Sequence, residues 1–308
     1  MDWMMQRLSD AELYYWETAI GDWFFTASIA FLLIELGLYA LRKQFTRKLL
    51  GDTVANFVTL IFFLGITLAI GVIYLNVFYY VYDEWRLLTL ETTPLMVIAA
   101  VVLADFAYYW EHRFAHRVGV AWATHTVHHS SNHFNISVAY RFGPLDSVLP
   151  LLFHLPLVLL GFNPLLVLLA EMLVQLYQTA LHTEVVKKLP RPIEAVFNTP
   201  SHHRVHHGSN REYIDKNYAG IFIVWDRLFG TFAAEKATVV YGVNPPLNSL
   251  NPLKIFFSGL IDLWRKMLSA PKLSLALAYL IMPPGWCHDE KQHIRANGQW
   301  PEGKTDVS

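Results

Sequence analysis

The stretch Val54 to Tyr80 contains no charged side chain, and that property constrains the chain more than any other. An apolar run of this length exceeds the roughly 20 helical residues that cross the hydrocarbon core of a bilayer. A second window, Trp23 to Leu41, carries only Glu35, and a third, Pro94 to Trp110, only Asp105. A longer run from Val148 to Leu181 is broken by Gly161-Phe162-Asn163-Pro164, a turn sequence suited to the tip of a helical hairpin. With 54% hydrophobic and 16% charged residues, the composition is not that of an ordinary water-soluble domain. The expected fold is therefore all-α: a multi-pass membrane helical bundle with spans near 23–41, 54–80 and 94–110 and a hairpin over 148–181.

The N-terminus does not read as a cleavable signal peptide, because Asp2, Asp10, Glu12, Glu17 and Asp22 outnumber Arg7. Arg42, Lys43, Arg47 and Lys48 fill the loop after the first span, which the positive-inside rule places in the cytoplasm. Following the spans from there puts residues 111–146 and 183–234 at the cytoplasmic face as a helical cap. No repeat or flexible linker divides the chain, so residues 1–308 read as one membrane-embedded unit. Its C-terminal region, 241–308, reads as interfacial, because Leu273 to Met282 is too short to span. Formal net charge is −1 and no basic run interleaves with aromatics, so nucleic acid is not an expected partner. Cys287 is the only cysteine, which excludes a disulfide within the chain.

The cap carries an unusual set of histidines. His112 and His116 lie four apart; His125, His128 and His129 follow; His203, His206 and His207 form a third group. On a helix, positions i, i+3 and i+4 lie near one another, so each group is expected to present its imidazoles as a unit. Eight imidazoles exceed what one tetrahedral ion uses. Two ions are the natural count, and nitrogen ligands with open positions for dioxygen point to iron rather than magnesium or calcium. The His-Glu-x-x-His of zinc peptidases and the Glu-x-x-His pairs of carboxylate-bridged di-iron bundles are absent. The rival from another class is a membrane metal transporter or sensor, which would place ionisable ligands near the bilayer midplane. His154, His288 and His293 stand apart and read as ordinary hydrogen-bonded residues.

Supporting residues follow from helical spacing. Asp105, two turns before His112, is positioned to orient an imidazole. Glu171, Gln175, Gln178 and His182 draw a polar stripe along the returning hairpin helix, making His182 a ninth candidate ligand and Gln178 a candidate catalytic residue. Asp215 and Asn217 follow the last cluster and either bond a ligand or cap a helix. No dinucleotide fingerprint, haem-attachment motif or iron-sulfur cysteine set is present, so electrons must come from an external donor.

His112-x3-His116, His125-x2-His128-His129 and His203-x2-His206-His207 resemble the signature of the fatty acid hydroxylase and sterol desaturase superfamily. From Tyr109 to Phe256 the resemblance narrows, through Leu181-His-Thr-Glu184, the run from Asn198 to Gly208, Ile214 to Gly220 and Trp225 to Phe232, to the alkylglycerol monooxygenases. That resemblance implies two iron ions, dioxygen, a lipid substrate in the bilayer and tetrahydrobiopterin as reductant. It implies a bacterial-type relative in a bacterial inner membrane or the endoplasmic reticulum, and it adds Asn198 to the candidate catalytic residues. Asn132 and His133 stand where a Glu tied to the pterin usually follows Ser131, and they are the candidate cofactor-binding pair. Sterol, acyl-chain, carotenoid or aminolipid hydroxylation and desaturation are the neighbouring activities of the same superfamily.

Overall fold

A computed structural model describes residues 6–289; His293 and the last part of the expected interfacial region lie outside them. Among the described residues no β-strand forms, only an isolated bridge between Gly208 and Tyr241. Among the described residues four helices are long and apolar enough to cross a membrane: α1 (Asp10–Leu41), α2 (Arg47–Trp85), α3 (Pro94–Arg117) and α6 (Pro164–Leu181). The protein is a multi-pass membrane helical bundle. Between α3 and α6 come α4 (Gly119–His129), a short 3-10 turn at Ile136–Tyr140, and α5 (Leu149–Leu160). The remaining helices are α7 (Arg191–Val196), α8 (Pro200–His206), α9 (Val224–Leu228), α10 (Pro252–Ser269) and α11 (Leu273–Ile281).

The helices extend beyond the apolar windows read from sequence. α1 starts at Asp10 because Ser9 caps it, with Glu12 returning a bond to the Ser9 backbone. The 39 residues of α2 reach about 58 Å, far more than a bilayer core of about 30 Å. Its polar start, with Asp52 and Asn56, therefore reaches into the cap, and α3 likewise carries His112 and His116 past its apolar stretch. The structural bounds thus mark where hydrogen bonding ends, whereas the sequence windows marked only where charge appears.

α3 and α6 form the inner pair. Ala100, Ala104 and Ala107 on α3 meet Val167, Ala170 and Val174 on α6 within one buried cluster, small side chains allowing close approach where lipid supplies no hydrophobic drive. Only 11% of the most apolar window of α2 is buried against protein, compared with 44% for α6, so α2 presents its apolar surface outward. The tip between α5 and α6 meets the α2–α3 connection, with Leu87 N donating to Leu159 O and Gly161 packed against the Leu88 carbonyl. The opposite end holds the α1–α2 loop and the histidines.

α4 reverses against α3 because Val118 leaves the helical region (φ −120°, ψ 125°). It is held from outside by α10 and α11. Gly259 of α10 lies against the Ala123 carbonyl and Thr126, and Gly119 lies against the Tyr279 carbonyl, so a Cβ at either position would collide with backbone.

Candidate metal centre

The described residues contain two sets of converging histidine nitrogens. One comprises His112 and His116 from α3, His125 and His129 from α4, and His206 from α8. The other comprises His128 from α4, His182 at the end of α6, and His203 and His207 from α8. Within each set the candidate ligand atoms lie within 4.8 Å of one another. His112 and His116 act as a unit, as their spacing implies, but the two His-x2-His-His boxes do not, which corrects that part of the expectation. Successive residues on a helix diverge by about 100°, so His128 turns away from His129, and His206 from His207. Each His-x2-His-His box thereby serves both sets.

Backbone carbonyls fix the ring orientations. The Nδ1 of His112 bonds to Tyr218 O at 2.9 Å, His206 to Lys216 O at 3.0 Å, His182 to Gln178 O at 2.9 Å and His128 to Arg141 O at 3.3 Å. A carbonyl only accepts, so each Nδ1 carries the proton and each Nε2 presents a lone pair. Yet these Nε2 atoms crowd together: His182 to His203, His207 and His128 at 3.0, 3.1 and 3.2 Å, His112 to His125 at 3.1 Å, and His129 to His125 at 3.2 Å. The His116 and His206 Nε2 atoms are buried without a hydrogen-bond partner.

Converging lone pairs repel unless a cation stands between them. Protonation is a poor remedy, because burial first, then neighbouring histidines, hold His125, His129, His203 and His207 well below the usual imidazole range. Burial brings His182 down to about 4 against the opposing Gln178 and Thr179 carbonyls. Separations of 3.0–3.2 Å match two nitrogens at right angles on an ion about 2.1 Å from each. The donor set therefore fits a pair of borderline transition-metal ions.

The other residues singled out in the sequence have different roles. Asp105 does not orient an imidazole: its carboxylate accepts from Ile221 N at 2.5 Å, Phe222 N at 3.0 Å and Trp225 Nε1 at 2.8 Å. It clamps the segment after Tyr218, whose carbonyl holds His112, because the same helical face also packs against that returning loop. Asn198 supports this segment too, donating to Ala219 O and Gly220 O. The Gln178 side chain turns back to Val174 O, and its carbonyl is what contacts His182.

Asp215 lies 3.8 Å from His116 Nδ1 and accepts from Arg117 at 2.7 Å. Burial raises its carboxyl, but these two contacts outweigh it and hold it below the usual range. Asn217 bonds no imidazole; it spans His202 O and Ala233. Asp215 and Asn217 take positive φ (59° and 56°), which Asp and Asn tolerate, and the turn presents the Lys216 carbonyl to His206. Asn132 and His133 fall outside both histidine sets; Asn132 is exposed and reaches Asn248. His154 bonds Pro150 O within its own helix.

Three supports were not read from sequence. Glu35, buried in α1, accepts from Ile136 N and Thr183 Oγ1 and so ties the segments after His129 and His182 together. Its signal was the lone charge in an apolar span. Arg141 donates to Val127 O at the end of α4 and pairs with Asp52 at 2.9 Å. Asp226 accepts from Tyr218 N and Ala219 N.

The histidine arrangement has a counterpart in known sequences: the fatty acid hydroxylase family matches residues 97–231, which include all nine histidines. These residues are a fatty acid hydroxylase domain. The chain carrying this hydroxylase domain is 42% identical to the alkylglycerol monooxygenase of Homo sapiens over 214 residues, 69% of this chain and 47% of that protein. It is 32% identical to the ornithine lipid hydroxylase OlsE of Rhizobium tropici over 151 residues, 49% of this chain and 44% of that protein. Lathosterol oxidase of Homo sapiens is 26% identical over 137 residues, 44% of each chain. The chain spans about half the length of the curated relatives it matches. No solved structure matches it.

Proposed function

We propose that the five-histidine and four-histidine sets each hold one iron ion and that the protein is a dioxygen-dependent lipid monooxygenase. The observation that carries this reading is the convergence of unprotonated Nε2 atoms in two buried sets. An ether-linked alkylglycerol is the substrate we favour, on the similarity to alkylglycerol monooxygenases. Bound iron would supply dioxygen reduction and C–H bond cleavage. The chain's own groups do the rest. Carbonyls at Tyr218, Gln178, Arg141 and Lys216 hold the ring protons on Nδ1, Asp215 supports His116, and the packed cap excludes water.

The balance is one C–H bond, one O2, two electrons and two protons giving one C–OH and one water. Hydroxylation next to an ether oxygen gives a hemiacetal, which separates into an aldehyde and an alcohol. The electrons come from an external donor, with tetrahydrobiopterin as one chemical class for it. The histidine sets lie on the side of the basic α1–α2 loop, since Tyr39 near the end of α1 reaches Glu184. The positive-inside rule then assigns the active site to the cytoplasmic face. Similarity to the ornithine lipid hydroxylase supports a second reading, hydroxylation of an aminolipid.

The test supplies purified iron-loaded protein, a chemical reductant and 18O-labelled dioxygen with an alkylglycerol or an ornithine lipid. Aldehyde release from the ether lipid supports the first reading, and a labelled hydroxyl on the aminolipid the second. The absence of both aldehyde release from the ether lipid and a labelled hydroxyl on the aminolipid refutes both, since an aldehyde oxygen exchanges with water. His206→Ala is expected to abolish turnover while leaving the chain in the membrane fraction.

A further inference from the structure

Outside the histidine sets, a cleft of about 360 Å³ opens between α7 and α9, lined by Lys188, Arg191, Glu194, His202, Arg227 and Phe232. Its one carboxylate is already committed. Glu194 accepts from Leu189 N at 3.0 Å, Thr199 Oγ1 at 2.8 Å and Ser201 Oγ at 2.9 Å, and it lies 3.0 Å from His202 Nε2. The cations have no carboxylate partner. Among the described residues none of Lys188, Arg191 and Arg227 forms a salt bridge. Arg227 is held flat, its guanidinium 3.8 Å over the Phe232 ring, while one nitrogen donates to Glu194 O at 3.1 Å. Three positive groups at the rim of one cleft form a site for an anion.

The surroundings point to where that anion comes from. α9 does not sit on the aqueous top of the cap: Trp225 bonds Asp105, and Phe106 packs on Trp225 and Phe229. Both Asp105 and Phe106 lie more than two turns back from the end of α3. The entry to α8 is likewise tied to α6, with Tyr177 Oη donating to Asn198 O at 2.7 Å. The cleft thus lies beside the ends of two membrane-crossing helices. Its flanks expose apolar side chains: Ile193 and Val196 on α7, Val224 and Leu228 on α9, and Phe197 between α7 and α8. Cations beside exposed aliphatic and aromatic groups at the end of a span match the headgroup boundary of a bilayer.

We propose that this cleft binds the phosphate of an anionic membrane phospholipid, with its acyl chains along the apolar flanks of α7 and α9. The bound lipid would brace α8, which carries His203, His206 and His207, through the Glu194–His202 contact. Its presence does not depend on which lipid is oxidised.

The test uses full-length protein, delipidated in detergent and loaded with iron, titrated with phosphatidylglycerol or phosphatidylcholine and read by native mass spectrometry. One phosphatidylglycerol is expected to bind saturably and phosphatidylcholine much more weakly. Lys188→Gln with Arg191→Gln removes two cations, each worth about 1 kcal/mol at a membrane surface, so the double variant is expected to bind about thirtyfold more weakly. Arg191→Lys keeps the charge and is expected to retain binding, as is Lys266→Gln on α10. Unchanged iron content in the double variant shows that it has folded; if it does not fold, Arg191→Gln alone, with an expected loss of about fivefold, decides. Equal binding of the two lipids, wild-type affinity in the folded glutamine variants, or complete displacement by millimolar inorganic phosphate would each overturn the proposal.

Discussion

Replacing Asp52 with Leu isolates the support beneath the second histidine box. Asp52 accepts from Arg141 Nη1 at 2.9 Å and from Ser131 Oγ at 2.5 Å. Arg141 is 1% exposed, so the variant leaves a cation in the protein interior without its counter-ion. Breaking one partner of such a buried pair costs about 3–5 kcal/mol, which corresponds to a fall in Tm on the order of 10 °C for a chain of this size. The assay is thermal unfolding of iron-free protein in detergent, followed by tryptophan fluorescence at one fixed scan rate, because unfolding of such a protein is scan-rate dependent. Asp52→Leu with Arg141→Met removes both charges and is expected to recover part of the loss. Recovery is incomplete because Val127 O and Asn56 Oδ1 lose their donors. A fall below about 3 °C for the single variant would refute the claim that this pair is desolvated and bears on α4.

Other expectations follow from the same structure. Burial lowers His182 from 6.5 to about 4 and puts its neighbours well below their usual range, so the unfolded chain takes up protons that the folded iron-free chain refuses. Iron-free stability is therefore expected to fall as pH drops from about 6.5 toward 4, and a flat melting profile over that window would contradict the burial. Gly259→Val places side-chain atoms against the Ala123 backbone; the expected result is separation of α10 from α4, read as proteolytic cleavage near α10 and weakened iron retention. Wild-type protease resistance with full iron retention would contradict that packing.

Much of the site was legible because its chemistry is concentrated in residue types with few alternative reasons to cluster. Nine histidines named by spacing all fall into the two converging sets, since a hairpin returning His182 to the level of α3 was implied by the apolar run itself. The division of each box between two sets was less visible: it depends on a 100° step between adjacent residues and on where α4 and α8 cross. Asp105 shows the limit of reasoning from helical faces. Its position two turns before His112 is correct, but the loop carrying Ile221 and Trp225 comes from far along the chain and claims its carboxylate. Glu35 was visible as an anomaly whose partners, Ile136 and Thr183, only the packed fold reveals. Asn132 and His133 were drawn in by a resemblance; among the described residues they fall outside both histidine sets, and Asn132 reaches Asn248.

The measurement that bears most directly on the account is the iron content of purified protein, determined by elemental analysis beside a variant of each histidine set. The account predicts about two irons per chain in the unaltered protein and about one in either the double variant His112→Ala with His116→Ala or the double variant His203→Ala with His207→Ala, because each removes two nitrogens from one set and leaves the other intact. Less than one iron per chain in the unaltered protein, or exchangeable zinc filling both sets in its place, would contradict it.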